Sequence, residues 1–215
     1  MRVNLAARAA TAEARRARTR ERLLDAAEAL IAERGLEAAS IDALVRAAGV
    51  ARGTFYNYFP TTTDLLDALN ERVAAGLESR LRGLIGRPVG PEVRMAASLH
   101  LMVAAYLADP VRGWVAVQLA GSTAARPQML ERLFTALYRE GVKAGVFRAI
   151  DTAAALTLCF GTMRMARRDI VAGDRPPEHA DDVVALLLAA FGVPPEAAAR
   201  ISREEAVAAR AGETG

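Results

Sequence analysis

The sequence predicts an all-α chain, a small N-terminal three-helix domain followed by a larger helical domain. Three observations predict it. Of 215 residues, 53% are hydrophobic but only 5% aromatic, and alanine is abundant, so the apolar stock is of the helix-forming kind. Large aliphatic residues recur at spacings of three and four along most of the chain. Glycine and proline gather in clusters between those stretches, where they punctuate helices. Long β-sandwiches do not fit this pattern.

Residues 1–15 are rich in alanine and arginine with few large apolar groups, and are expected to form a flexible basic arm. The first domain is assigned to 16–62. Its first helix starts at Arg18, carries Leu23, Ala27, Leu30 and Ile31 on one face, and stops at Gly35. A second helix begins at Ser40, whose hydroxyl can cap the next turn, buries Ile41, Leu44, Val45 and Ala48, and ends at Gly49. Pro60 then limits the third helix to about two to three turns.

A fourth helix, from Thr63 to Leu84 with Leu65, Leu66, Leu69, Val73 and Leu77 inward, opens the larger domain, 63–193. After the breakers Gly83, Gly86, Pro88, Gly90 and Pro91, helical patterns follow near 92–108, 111–122, 127–145, 151–171 and 179–192. Asp109-Pro110, Arg126-Pro127, Gly145 and the stretch from Gly173 to Pro177 separate them. The tail, 194–215, has only Ile201 and Val207 as large aliphatics and is either a loosely docked helix or disordered.

Charge and cysteine usage narrow the function classes. The net charge of +3 arises from 28 basic and 25 acidic residues, but the basic ones concentrate near the start. One cysteine excludes an intramolecular disulfide. The longest apolar stretch, Val183 to Val193, is short of the roughly 18 to 20 residues of a membrane span, so no membrane partner is expected. The arginine-rich start has no apolar core of a secretory signal, and cytoplasmic residence is the expectation.

The segment Ser40 to Phe59, SIDALVRAAGVARGTFYNYF, reads as a helix, a tight glycine turn and a second short helix, the arrangement of a helix-turn-helix that reads DNA. With Phe55 and Phe59 inward, Gly53 and Asn57 point away and Thr54 and Tyr56 flank them. Gly53 lets the backbone approach the groove, and Asn57 can pair with adenine. Thr54 can meet a thymine methyl or a phosphate, and Arg52 guanine or the backbone. Tyr56 and Tyr58 offer hydroxyls to phosphates, and Ser40 an amide-rich helix pole to another. The alternative is that the tyrosines only pack and Arg52 is a solvated charge.

The run AAGVARGTFYNYF resembles the signature of the tetracycline-repressor-like (TetR) transcriptional regulators, an A-G-V turn leading into a G-T-[LF]-Y-x-Y-F recognition helix. The resemblance covers Arg18 to Leu69 and implies a helix-turn-helix DNA-binding domain followed by a helical ligand-binding and dimerisation domain. It implies a homodimeric repressor that leaves an inverted-repeat operator in double-stranded DNA when a small-molecule effector binds. The fourth helix would transmit the change. Two departures stand out. Ala51 replaces the usual capping serine, which costs on the order of 1 kcal/mol of helix stability. Thr62, in PTTTDLL, replaces the usual phosphate-contacting lysine; Arg15, Arg16, Arg18 and Arg20 can restore that charge.

In the larger domain the last two helical patterns are apolar nearly all round, which calls for cover on more than one side. Leu156, Phe160, Val184, Leu187, Leu188 and Phe191 are therefore expected at a twofold dimer interface built as a four-helix bundle. That dimer would set two recognition helices roughly 34 to 36 Å apart. Met95, Leu99, Met102 and Tyr106 form a stripe, with Trp114, Phe134, Tyr138 and Met163 on neighbouring helices. They are either ordinary core or the walls of an apolar effector cavity, with His100 and Tyr138 as polar handles. Arg164, Arg167 and Arg168 are read as ion pairs at the surface or an interface, the other reading being an anion site.

No enzyme site, metal set or cofactor motif is expected. The two histidines, His100 and His179, stand far apart in sequence from each other, and Cys159 sits in an apolar helix where inert packing is its natural role. Rival readings are a helical protein-binding adaptor and a cysteine-dependent enzyme.

Overall fold

The computed structural model describes residues 5–122 and 127–211, and the chain forms two compact units, Met1–Leu69 and Asn70–Gly215. Among the described residues the regular elements are helices: α1 Leu5–Arg34, α2 Ile41–Ala48, α3 Arg52–Tyr56, α4 Thr62–Ala75, α5 Glu78–Ile85 and α6 Pro91–Ala108. They continue as α7 Pro110–Ser122, α8 Gln128–Lys143, α9 Thr152–Val171, α10 His179–Ala190 and α11 Pro195–Ala211, with one 3₁₀ turn at Leu36–Ala38. Residues 69 and 70, between which the units divide, both lie in α4; the sequence placed the division at 62/63. None of these helices is long and apolar enough to cross a membrane.

The first unit is built on α1. Leu23, Leu24, Ala27 and Ile31 are fully buried, and with Leu44 of α2, Phe55 of α3 and Leu65 and Leu69 of α4 they form its core. The helix starts at Leu5, not Arg18, so the part of the expected arm from Leu5 onward is helical. Residues 8–18 are exposed, so nothing is buried to hold them; alanine and arginine are simply strong helix formers. Residues 1–4 of that arm lie outside the described residues.

The second unit is organised around α6, which buries twelve residues from Pro91 to Ala104 among α5, α7, α8, α9, α10 and α11. The expected fourth helix is two helices, interrupted at Gly76 and Leu77. The tail is settled as structure: α11 buries Ala198, Ile201, Ser202, Glu205 and Ala206 against α6 and α10. Its last four residues, 212–215, and the Arg126 breaker lie outside the described residues.

Five of the six residues expected at a dimer interface are already buried by the single chain. Leu156, Val184, Leu187, Leu188 and Phe191 are at most 5% exposed within the single chain and belong to its own core. Helices α6 and α11 supply the cover that the apolar pattern of α10 demanded. Phe160 is half-buried and meets Phe134 edge to face, with 5.4 Å between ring centroids. The large apolar residues left outward on α9 and α10 are Leu158, Met165 and Leu186, the last 69% exposed.

The Met95, Leu99 and Met102 stripe is core, together with Phe134, Tyr138 and Met163. Tyr106 and Trp114 are half-buried. Both polar handles are engaged inside the protein. The Tyr138 hydroxyl accepts from the Ile150 amide at 3.0 Å and donates to the Arg148 carbonyl at 3.0 Å, tying down the segment before α9. Its ring stacks on Phe147.

His100 is 3% exposed, its Nε2 lies 3.0 Å from Ser202 Oγ, and Ser202 in turn donates to the Asp181 carbonyl, joining α6, α10 and α11. Burial first of all, partly offset by Asp181, pushes the imidazole down to about 4. A histidine whose folded value lies below its unfolded value of about 6.5 contributes stability above 6.5 that is lost as pH falls toward 4. Urea unfolding should therefore show stability dropping by up to about 3 kcal/mol between pH 7 and pH 4 from this group. His100→Gln should flatten that part of the profile; an unchanged slope would refute the assignment.

Candidate nucleic-acid interface

The turn of the first unit is set by backbone chemistry. Ser40 caps α2, its Oγ accepting from the Ala43 amide at 3.4 Å. Gly49 ends the helix in the left-handed region with φ 61°, a conformation that strains any side chain. The Gly49 amide donates to the Arg46 carbonyl and the Val50 amide to that of Val45, so the turn closes on α2 itself. Arg22 of α1 adds a clamp not foreseen from sequence: its Nη2 donates to the carbonyls of Ala48 and, at 3.1 Å, Gly49. These bonds fix where α3 leaves the turn.

Helix α3 starts at Arg52 behind Ala51, which makes no side-chain cap. Phe55 is fully buried and Phe59 nearly so, their centroids 6.1 Å apart, and this anchoring leaves the opposite side open. Gly53 and Asn57 are exposed and Thr54 half-buried. A Cβ on Gly53 would meet nothing within 4 Å. Tyr56 is 46% exposed and stands edge-on to Phe55, whereas Tyr58 is half-buried under the Arg16 guanidinium, 5.7 Å from its centroid.

Arg52 donates to Asp42 Oδ1 at 2.8 Å, and Tyr56 and then Asp42 raise its guanidinium above the ordinary value. Both partners are largely exposed, so the pair is weak and exchangeable for a phosphate or base. Thr62, half-buried, is the first residue of α4, but the capping group is Thr61. Its hydroxyl donates to Asp64 Oδ2 at 2.6 Å and accepts from the Asp64 amide, a reciprocal cap that the T-x-x-D spacing announces.

The exposed stretch of α1 completes the geometry. Ala12, Arg15, Arg16 and Thr19 face Thr54, Asn57 and Tyr58 across a groove of about 560 Å³. Arg8 lies on the same side of the helix, one and two turns before Ala12 and Arg15, so the arginines form a stripe beside the open face of α3. Such a surface offers hydrogen-bonding side chains flanked by positive charge, the pattern that positions a duplex by its phosphates and reads its bases.

Comparison with known proteins places this geometry in a family. Residues 23–69 match the family model described as bacterial regulatory proteins, tetR family. Over 63 residues the chain is 40% identical to the HTH-type transcriptional regulator YvdT of Bacillus subtilis, a match covering 29% of this chain and 32% of YvdT. The chain thus spans about a third of that relative. It is 30% identical over 142 residues to the HTH-type transcriptional repressor KstR2 of Rhodococcus jostii, covering 60% of this chain and 68% of KstR2. The crystal structure of RolR in complex with its ligand resorcinol superposes with a TM-score of 0.68 at 27% identity, covering 87% of this chain and 94% of RolR. The helix-turn-helix built from Ser40 to Phe59, the matching family model and the two-thirds coverage of KstR2 converge: the chain belongs to the tetR family of bacterial regulatory proteins.

Proposed function

We propose that the chain is a homodimeric, cytoplasmic transcriptional repressor that binds an inverted-repeat DNA operator and releases it when a small, largely apolar ligand occupies the second unit. The observation that carries this reading is the open side of α3, with Gly53 unobstructed and Asn57 exposed beside an arginine-lined groove. Arg52, Thr54 and Asn57 meet bases or phosphates; Ser40, Tyr56, Tyr58 and Thr62 meet the backbone. KstR2, a repressor, and RolR, solved with resorcinol, support repression and ligand binding.

The dimer uses the outward apolar residues Leu158, Met165 and Leu186. Helix α4, which has residues in both units, carries the ligand's effect to the reader. A ligand that lowers operator affinity by some factor is itself weakened by operator to the same factor.

Selection of bound duplexes from a random pool by the purified protein tests the proposal. An inverted repeat should emerge with half-sites roughly 10 base pairs, or a multiple of a turn, apart. Arg52→Ala and Asn57→Ala should each weaken binding by about 1–3 kcal/mol and relax the sequence at one position. A pool with no enriched repeat, or variants that bind as the parent does, would refute it.

A further inference from the structure

We infer that the second unit takes an organic anion, its oxyanion group held by Arg167 above the ring of Tyr106. The inference rests on reading that unit as effector-binding. Arg167, on α9, is 6% exposed, and its guanidinium carbon lies 5.0 Å from the centroid of the Tyr106 ring on α6. Its Nη1 reaches neither solvent nor any acceptor. Among the described residues no carboxylate lies within ion-pair distance of it.

Arg94 shows what this unit does with a buried guanidinium when the charge is structural. It is 9% exposed, donates to the Ile85 carbonyl at 2.9 Å and pairs with Glu140. Arg94 keeps a buried, unpartnered Nε but has its carboxylate, whereas the contact that Arg167 makes among the described residues is the tyrosine face. A guanidinium stays charged whatever its surroundings. Burying it without a counter-ion is strongly unfavourable, and a cation–π contact offsets only part of that.

The acids of the surrounding helices are exposed or engaged elsewhere: on α8, Glu131 is exposed and Glu140 pairs with Arg94, and on α10, Asp182 is exposed and Asp181 pairs with Arg210. α7 packs on both α6 and α9 and contains no Asp or Glu. Between Val93 and Ala108, α6 has none either. The single acid of α9, Asp169, is engaged with Arg168 at 3.3 Å, and Arg164 donates to the Ala120 carbonyl at 3.4 Å. The wall is therefore cationic, and among the described residues no carboxylate pairs with Arg167.

Its other components are apolar. Met163 and Met102 each lie one turn before Arg167 and Tyr106 and are buried, and Trp114 of α7 is half-buried. Gly113 allows α7 to close on the last turns of α6, since a Cβ there would collide with the Tyr106 carbonyl. The occupant this chemistry selects has one oxyanion group on an aromatic or aliphatic body.

Two fluorescent probes with the same apolar body separate the charge from apolar contact: 8-anilinonaphthalene-1-sulfonate and its uncharged parent, N-phenyl-1-naphthylamine. Titrated into the full-length protein without DNA, the sulfonate should bind about tenfold or more tightly than the neutral probe. Arg167→Gln should remove that preference and leave the neutral probe's affinity within about twofold. Arg167→Met should raise the Tm of the unliganded protein, because it removes an uncompensated buried charge; a purely structural arginine would lower it.

Equal affinities in the parent, or a preference surviving in both variants, would overturn the assignment. So would variants that alter only the dimer dissociation constant, since the counter-charge would then come from a second copy of the chain. If the neutral probe binds without a sulfonate preference, the anion fails but the effector reading stands. If neither probe binds, both fall.

Discussion

Gly53→Leu is expected to leave the free protein folded with a Tm no lower than the parent's and to erase its preference for operator over random DNA. The two halves of this result come from the same observation. Gly53 lies within α3, where glycine is a poor helix former, yet its φ is unremarkable and nothing in the protein stands within 4 Å of the place a Cβ would occupy. Packing therefore gives no reason for glycine. A helix that lies deep in the major groove does, because the smallest side chain lets the backbone come nearest to the bases and phosphates. Gly53→Ala should stabilise the free protein by up to about 1 kcal/mol while weakening the operator complex, a stability gain with a binding loss. The leucine variant should fall to non-specific affinity, a loss of about a thousandfold or more at physiological salt. Fluorescence anisotropy on a selected operator, alongside thermal unfolding, measures both. If Gly53→Leu binds operator as tightly as the parent, this face of α3 does not enter the groove.

The turn was legible because its signals are local. Ser40 and Gly49 act within a few residues of themselves, and Phe55 of α3 and Phe59 just after it are the large apolar residues that turn inward. What sequence reading missed depends on distance or on small side chains. Arg22 reaches carbonyls 26 and 27 residues away, which no spacing encodes. Helix α11 buries alanines together with Ser202 and Glu205, and those polar groups are satisfied by His100 and Arg87 from far along the chain. To a periodicity argument the segment offers only Ile201 and Val207 as large aliphatics, which leaves a loosely docked helix and disorder both open. The apolar surplus of α10 was read as a dimer face because a helix alone does not reveal how many neighbours its own unit supplies. Spacing alone leaves Arg167 to ion pairs at the surface or an interface or to an anion site; the fold shows it buried over Tyr106.

The second large effect lies in the second unit. Gly141, near the end of α8, is buried, and a Cβ on it would fall inside the ring of Phe147. The amides of Val146 and Phe147 both donate to the Gly141 carbonyl at 3.0 Å, so the chain turns straight back over this residue and has no slack to move away. Nor can the ring retreat, since Phe147 is 3% exposed, stacked on Tyr138 and 5.8 Å from the Phe191 centroid. Gly141→Ala should thus cost about 1–3 kcal/mol or more despite alanine being the better helix former, because overpacking outweighs propensity. Gly83→Ala on α5, where a Cβ would meet nothing within 4 Å, is the matched control and should be neutral or stabilising. Trimming the obstacle gives the decisive cycle. Phe147→Leu alone leaves a cavity and lowers stability, whereas in the Gly141→Ala background part of the lost volume is filled. Urea unfolding of the double variant should therefore show less destabilisation than the sum of the singles. Additive losses, or a Gly141→Ala variant as stable as the parent, would mean that Phe147 does not rest on α8 at this residue.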